Sequence, residues 1–275
     1  MPQALCITKT TKMKKITIQK ISFNVSDNNL QFWNQVENNK WEKDTFTIFD
    51  RFLNRDIIYF DIGAWIGPTV FYAAQLSKYA FAFEPDPVAF NVLKTNFELN
   101  ENNDWHNKLT LYNKAVGVEN GYIYIGSGSS GGDSLSSVLF SNKETQWKVE
   151  TVAINDFIET NNLMDESLFF KIDIEGGEYS LIPVLNKTFS TQNIILYLSF
   201  HPGLLFGSII KENQNVLRKI SVWLQVIVTH FKILRSLPFR FTYLQSGQKI
   251  NPMNLLYYTI RLRSFSIVAT NKKWD

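Results

Sequence analysis

The 275-residue sequence is poor in the residues that cross-link a small domain or hold a structural zinc ion. Cys6 is the only cysteine in the chain, which excludes a disulfide framework and a cysteine-rich zinc site. So few cysteines are typical of proteins from a reducing compartment, and we therefore expect a cytoplasmic protein.

Long apolar runs are missing as well. In the most apolar region the longest uncharged stretch, residues 220–231, lies between Lys219 and Lys232, whereas a membrane-spanning helix needs about 20 residues. Residues 1–9 also lack the apolar run of about 7–15 residues that a secretory signal contains. We therefore expect a soluble, unexported protein with no transmembrane segment.

Hydrophobic and aromatic residues, in contrast, are abundant. They make up 45% and 15% of the chain, and charged residues only 19%, which excludes a disordered or low-complexity protein. At about 150 residues per domain, this length suffices for one large domain with an added segment. We predict an N-terminal extension of a strand and helices at residues 1–56, followed by a single domain at residues 57–275.

Charge is distributed unevenly along the chain. From residue 213 onward there are ten basic side chains and one acidic, a net charge of +9, whereas residues 1–212 hold 18 basic and 24 acidic, a net of −6. The basic segment is either a set of scattered, solvated cations or a surface that receives an acidic acceptor. Its amphipathic stretch also resembles a basic membrane-surface helix, but we expect most of its apolar side to cover the sheet.

Apolar runs of strand length alternate with helical patterns along the chain. Strands are predicted at residues 57–62, 79–84, 108–116, 122–125, 168–174, 193–200, 241–244, 255–261 and 265–269. Helices are predicted at residues 30–36, 45–53, 68–77, 87–100, 178–185 and 211–235. The alternation predicts an α/β fold with a parallel sheet and right-handed crossovers. A glycine- and serine-rich loop at residues 126–134 is either functional or disordered.

A glycine-rich turn follows the first of these strands. Asp61 ends the strand, and Gly63 and Gly67 flank a turn into a helix, so that backbone N–H groups face a bound anion or carboxylate. Glu84 ends the next strand, where an acid can accept both hydroxyls of a ribose. The indole of Trp65 conflicts with the pyrophosphate of a dinucleotide at this turn. S-adenosylmethionine, which has no phosphate, therefore fits better than a dinucleotide, and a purely structural turn is the remaining alternative.

A second acid-rich motif ends a later strand. In an extended strand Lys171, Asp173 and Glu175 share one face at its carboxyl end, where α/β sheets place their ligands. Glu178 either joins this site or stabilises the first turn of the next helix. His201 follows another strand end and is a further candidate. These side chains could together hold a hard cation, but their short spacing favours the strand motif alone, and we predict no metal.

Four segments, taken in order, resemble the motifs of the FkbM family of S-adenosylmethionine-dependent methyltransferases. They are Asp61–Thr69, Phe83–Pro87, Gly132–Ser137 and Phe170–Tyr179, within a similarity that covers about residues 41–202 from the pair Trp41-Glu42 onward. The resemblance implies a class I, Rossmann-like methyltransferase fold with a mostly parallel seven-stranded sheet and helices on both faces. It also implies S-adenosyl-L-methionine as cofactor and methyl transfer to a hydroxyl group.

The resemblance further implies which residues bind the cofactor. They are Asp61, Gly63, Ala64, Trp65, Gly67, Glu84, Pro85, Ala115, Val116 and Asp173. Among them, Asp61, Gly63 and Gly67 would border the methionine part, Glu84 the ribose, Ala115 and Val116 the adenine, and Asp173 the methyl group. In the family an acid often stands two positions before the histidine that ends the fifth strand, and this chain has Ser199 there.

Methyl transfer to an alcohol requires alignment of the acceptor oxygen and removal of its proton. Asp173, Glu175 and His201 are the candidates for the general base, and the sequence does not rank them. We predict an O-methyltransferase whose acceptor is a sugar, glycan or natural product, acidic if the basic segment binds it. The alternatives are a nucleotide-dependent oxidoreductase and a protein that binds nucleic acid or another phosphate-rich partner through its basic segment.

Overall fold

The computed structural model describes residues 12–127, 131–132, 145–191, 193–210 and 215–274. Its N-terminal part contains two antiparallel strands, β1 (Met13–Ile18) and β2 (Ile21–Ser26), followed by two helices, α1 (Leu30–Glu37) and α2 (Lys43–Phe52). Both helices agree with the sequence prediction, which has a single strand in place of the hairpin.

The elements of the remaining chain alternate between strands and helices except for one run of four successive strands and one pair of successive helices. In order they are β3 (Ile57–Ile62), α3 (Pro68–Leu76), β4 (Tyr79–Phe83), α4 (Pro87–Glu98), β5 (Leu109–Tyr112), β6 (Ala115–Gly117), β7 (Gly121–Ser127), β8 (Thr145–Ala153), α5 (Ile154–Thr160), β9 (Ser167–Ile172), α6 (Glu178–Thr191), β10 (Asn193–Phe200), α7 (Pro202–Ile210), α8 (Val216–Ser236), β11 (Phe241–Leu244), α9 (Pro252–Ile260) and β12 (Phe265–Thr270).

Seven strands form the main sheet in the order β11-β12-β10-β9-β3-β4-β5. All neighbours from β10 to β5 pair in parallel, and β12 runs antiparallel to both of its partners. A separate three-stranded sheet, in the order β6-β8-β7, lies beside it. The predicted class I architecture, a mostly parallel seven-stranded sheet, is confirmed.

Two apolar cores cover the two faces of the main sheet, because alternate residues of each buried strand point to opposite sides. Tyr59 and Phe169 pack with residues of β1, β2 and α1–α4, whereas Phe60 and Phe170 pack with residues of α5, α6, α8 and α9. Helices therefore cover both faces, as predicted. Residues before position 57 share the first core, and the domain boundary at residue 56 stays a prediction.

Two sequence predictions of secondary structure are wrong, and a third is confirmed in part. The strand predicted at residues 255–261 is helix α9, which starts at Pro252 and is capped by Asn251, whose Oδ1 accepts from the Asn254 amide at 2.9 Å. The strand predicted at 108–116 divides into β5 and β6, which belong to different sheets. The helix predicted at 211–235 is confirmed from Val216 onward, and its residues 211–214 lie outside the described part of the chain. Helix α7, which precedes it, was not predicted.

The glycine- and serine-rich loop lies mostly outside the described residues. The same holds for most of the motif Gly132–Ser137, of which Gly132 alone is described. In the described part of the chain, no helix combines the length and apolar character that a membrane span requires.

Candidate active site

A cavity of about 680 Å³ opens at the carboxyl ends of β3, β4 and β9, the edge where open α/β sheets bind their ligands. Nine of the predicted site residues line it: Gly63, Ala64, Trp65, Glu84, Pro85, Ala115, Val116, Asp173 and Glu175. Asp61, Gly67 and His201 are the predicted residues that do not. The described part of the cavity wall also contains no residue of the basic segment, so the structure does not support an acceptor-binding role for those cations.

The glycine turn forms the floor of this cavity. Gly63 has φ +91°, and a Cβ there would stand 2.0 Å from the backbone oxygen of Asp173. Only glycine therefore lets the turn approach the end of β9 this closely. Trp65 also has a left-handed backbone (φ 48°), and its indole Nε1 donates to the Gly132 carbonyl at 3.0 Å.

Glu84 is held in place by two backbone amides. Its Oε2 accepts from the Trp65 N–H at 2.8 Å and its Oε1 from the Asp86 N–H at 2.8 Å. Burial raises the pKa of Glu84 to about 7, although these two hydrogen bonds lower it. Each oxygen keeps a second acceptor position, so the carboxylate can still accept hydroxyl groups from a ligand.

Asp61 lies behind the cavity wall as part of a buried network. Its Oδ2 accepts from Thr69 Oγ1 at 2.7 Å and from the Tyr59 hydroxyl at 3.0 Å, and its Oδ1 lies 3.3 Å from Lys171 Nζ. Burial raises the pKa of Asp61, and the Lys171 ammonium opposes that shift. Asp61 thus fixes the turn and the position of Lys171, and its predicted contact with the cofactor stays a prediction.

His201 joins the carboxylates at the ends of β9 and β10. Its backbone N–H donates to Glu178 Oε1 at 3.0 Å, and its Nδ1 lies 3.1 Å from the same oxygen. Its Nε2 lies 3.5 Å from both Asp173 Oδ1 and Glu175 Oε2. Glu178 is wholly buried and its Oε2 accepts from the Gly176 N–H at 2.7 Å. Glu178 therefore orients His201, as well as standing in the first turn of α6.

The charges of this cluster distinguish two of the candidate bases, His201 and Glu175. Burial lowers the pKa of His201, but the hydrogen bond to Glu178 and the facing carboxylates outweigh it and raise that pKa to about 9. Burial raises the pKa of Glu175 to about 7, although the charge of His201 lowers it. At neutral pH His201 is therefore an imidazolium, which cannot accept a proton, whereas Glu175 titrates near the pH at which it would act.

The same cluster contains the ligand atoms that a cation site requires. Asp173, Glu175 and His201 each place one ligand atom within 4.8 Å of the others, and carboxylate oxygens suit hard divalent cations. A metal would require the neutral form of His201, so the imidazolium and a bound cation exclude each other. The absence of a metal stays a prediction.

Sequence reasoning missed Glu42 as a site residue. It lines the cavity from the N-cap of α2, with a left-handed backbone (φ 40°), and its Oε2 accepts from Thr45 Oγ1 at 3.0 Å. Burial and the charge of Asp173 raise the pKa of Glu42 to about 7, and Lys171 lowers it. Its presence in the Trp41-Glu42 pair is the only sequence signal that could have found it. Glu42 is one of five acidic side chains that, with Lys114 and Lys171, line the described part of the cavity, so acidic groups outnumber basic ones there.

Comparison with known protein families identifies the family of this chain. The model described as "Methyltransferase FkbM domain" matches residues 61–231, which is more than half of the chain. The chain belongs to the FkbM methyltransferase family. The predicted family is confirmed, and with it S-adenosylmethionine as the cofactor of this FkbM protein.

Solved structures with related folds are distant in sequence. They include a methyltransferase FkbM from Methylobacillus flagellatus KT, with 14% identity and a TM-score of 0.44 over 78% of this chain and 44% of that chain. SMU.1697c from Streptococcus mutans, in complex with SAH, has 9% identity and a TM-score of 0.44 over 82% and 96%. This FkbM protein thus spans less than half the length of the Methylobacillus chain, and no curated protein matches it.

The described residues fit S-adenosylmethionine. The cavity lies within the range of about 300–1,000 Å³ of small-molecule sites. Asp173 Oδ1 is inaccessible to water and has no hydrogen-bond partner among the described residues. A wall with Glu42 and Asp173 suits a ligand that carries positive charge.

Proposed function

We propose that this FkbM protein is an O-methyltransferase that methylates a hydroxyl group of a sugar, glycan or natural product. When bound, S-adenosylmethionine supplies an activated methyl group on a cationic sulfur. The observation that carries the proposal is the pair of cavity-lining carboxylates, Asp173 and Glu175, beside the His201 imidazolium. A hydroxyl acceptor must lose a proton, and this pair offers an acceptor for it.

Three groups of residues would hold the cofactor. Glu84, oriented by two amides, accepts the ribose hydroxyls. The short side chains of Ala115 and Val116, at β6, leave room for the flat adenine. Glu42 and Asp173 attract the ammonium and sulfonium groups, and the desolvated setting strengthens that attraction.

Glu175 would act as the general base. Its pKa of about 7 matches the operating pH that favours a proton acceptor. His201 holds a positive charge 3.5 Å from its Oε2, and Glu178 fixes the imidazole in that orientation. In this arrangement His201 is a positioning residue, and the hydroxyl proton passes to the Glu175 carboxylate.

The small sheet would provide part of the acceptor site. Tyr122 of β7 lines the cavity, yet its side chain is 66% exposed. The Lys148 ammonium lies 4.5 Å from the centre of this ring. The exposed remainder of the ring and its hydroxyl offer an apolar surface and a polar group to a ligand, which suits a sugar acceptor.

The experiment is a methyl-transfer assay with labelled S-adenosylmethionine across sugars, glycans and hydroxylated natural products. Mass spectrometry of the product assigns the methylated atom. We expect methyl ethers, with turnover reduced about 10²–10⁴-fold in Glu175→Gln. Methylation at nitrogen or carbon would contradict the proposal.

A further inference from the structure

Helix α8 has two separate apolar faces. Val222, Val226, His230 and Ile233 form its buried face. A second set is exposed: Val216, Leu217, Ile220, Leu224 and Val228, with exposed fractions of 48–75%. At about 100° per residue the second set falls within an arc of about 120° that does not overlap the buried face. Seven of the twelve apolar side chains of α8 are buried or half-buried, as expected of a helix that covers the sheet, whereas these five remain exposed.

Helix α9 continues this exposed apolar area. Trp223 Nε1 of α8 donates to the Ile260 carbonyl of α9 at 2.9 Å, so the two helices lie side by side. Met253, Tyr257 and Ile260 are exposed on α9. Eight of the fifteen large apolar side chains that are exposed in the described residues lie on α8 and α9. We call the area formed by these eight side chains the α8–α9 surface.

The segment that contains α8 and α9 carries charge of one sign. Residues 215–274 contain ten basic side chains, all exposed, and no aspartate or glutamate. Arg218 and Lys219 stand in the first turn of α8 and flank the arc of exposed apolar residues, whereas Arg235, in the last turn, falls within that arc. The Arg261 guanidinium lies 4.0 Å from the ring centre of Tyr257. None of the ion pairs seen in the described residues involves these cations.

We propose that the α8–α9 surface docks on an anionic lipid membrane. Exposed apolar side chains flanked by lysine and arginine are typical of helices that lie in the headgroup region of a bilayer, and acidic lipids attract such cations. A second copy of the chain would bring two positive surfaces together, which like-charge repulsion disfavours. A nucleic acid would engage the cations through its phosphates but would not cover the apolar area.

Vesicle cosedimentation of the full chain tests the proposal. Wild-type protein should bind vesicles of phosphatidylcholine mixed with phosphatidylglycerol and stay in solution with phosphatidylcholine alone. Each cation removed in Arg218→Gln, Lys219→Gln and Arg235→Gln should lower the partition coefficient roughly fivefold. The double variant Leu217→Ser with Leu224→Ser should also reduce binding, because less apolar area enters the headgroup region.

Matched variants on other surfaces control for charge and apolar content. Met13→Ser with Met164→Ser removes two apolar side chains that are 58% and 50% exposed, and Lys15→Gln with Lys20→Gln removes two exposed cations. These controls should bind vesicles like wild type. The melting temperature and its increase by S-adenosylhomocysteine should be unchanged in every variant, which shows that the fold and the cofactor site are intact.

Four results would overturn the proposal. They are no binding to anionic vesicles, equal binding to neutral and anionic vesicles, equal losses in the control variants, and a wild-type dimer in sedimentation velocity that Leu217→Ser with Leu224→Ser dissociates. The last result would assign the α8–α9 surface to self-association.

Discussion

The His201 imidazolium makes the stability of the protein depend on pH. The pKa of His201 is raised from 6.5 to about 9 by its hydrogen bond to Glu178 and by the carboxylates of Asp173 and Glu175, against the effect of burial. A raised pKa in the folded state means that the folded protein binds this proton more tightly than the unfolded chain does. The stabilisation is therefore fully present below about pH 6.5 and is lost as the pH rises through about 9.

The magnitude follows from the size of this interval. At about 1.4 kcal/mol per pH unit, a proton held between pH 6.5 and about 9 stabilises the fold by about 3 kcal/mol. Replacing His201 by Gln removes this contribution but leaves Asp173, Glu175 and Glu178 facing one another. The variant should therefore be several kcal/mol less stable than wild type at pH 6.5, and the difference should shrink toward pH 9.

Urea denaturation of wild type and His201→Gln, measured at intervals from pH 6.5 to 9, provides the free energies of unfolding. Carboxylates that do not face His201, such as Glu42 and Glu84, titrate in both proteins and cancel in the difference. Glu175 does not cancel, because the charge of His201 lowers its pKa, so both proteins are compared in a Glu175→Gln background. A difference in the free energy of unfolding that stays constant over this pH range would refute the ionisation state that we assign to His201.

Three further variants test the cavity. Gly63→Ala should be destabilised by at least about 1–2 kcal/mol in urea denaturation, because φ is +91° and the new Cβ would collide with the Asp173 carbonyl; stability equal to wild type would contradict this. Glu84→Ala should lose most of the increase in melting temperature that S-adenosylhomocysteine causes in wild type, and an unchanged increase would exclude Glu84 from the cofactor site. Glu42→Gln should weaken S-adenosylhomocysteine roughly tenfold in calorimetry, a typical effect of losing a charged partner, and leave adenosine binding unchanged; equal losses for both ligands would exclude a contact with the ammonium group.

The sheet and the turn were predictable because their signals are local. The apolar run at residues 57–62 and the glycines at positions 63 and 67 are local patterns that favour a buried strand and a left-handed turn. Residues 255–261 misled the prediction because tyrosine, threonine and isoleucine favour strands. In the structure this segment is a helix, because Asn251 and Pro252 form its N-terminal cap and one helical face is buried.

The parts of the site that the sequence did not indicate depend on contacts between distant segments. Glu42 reaches the cavity from α2, far along the chain from Asp173 of the β9 end. Burial and those long-range neighbours also set the pKa values of Glu175 and His201, which no spacing in the sequence contains. The exposed side of α8 was likewise hidden, because a hydrophobic pattern does not show whether another element covers it.

The pH dependence of methyl transfer, once an acceptor is identified, tests the central claim most directly. If Glu175 accepts the hydroxyl proton, kcat of the wild type rises with pH through about 7, where Glu175 ionises. In Glu175→Gln, kcat should fall about 10²–10⁴-fold and lose this rise, while the Kd for S-adenosylhomocysteine stays near the wild-type value. A wild-type rate with the same pH profile in Glu175→Gln would contradict the account.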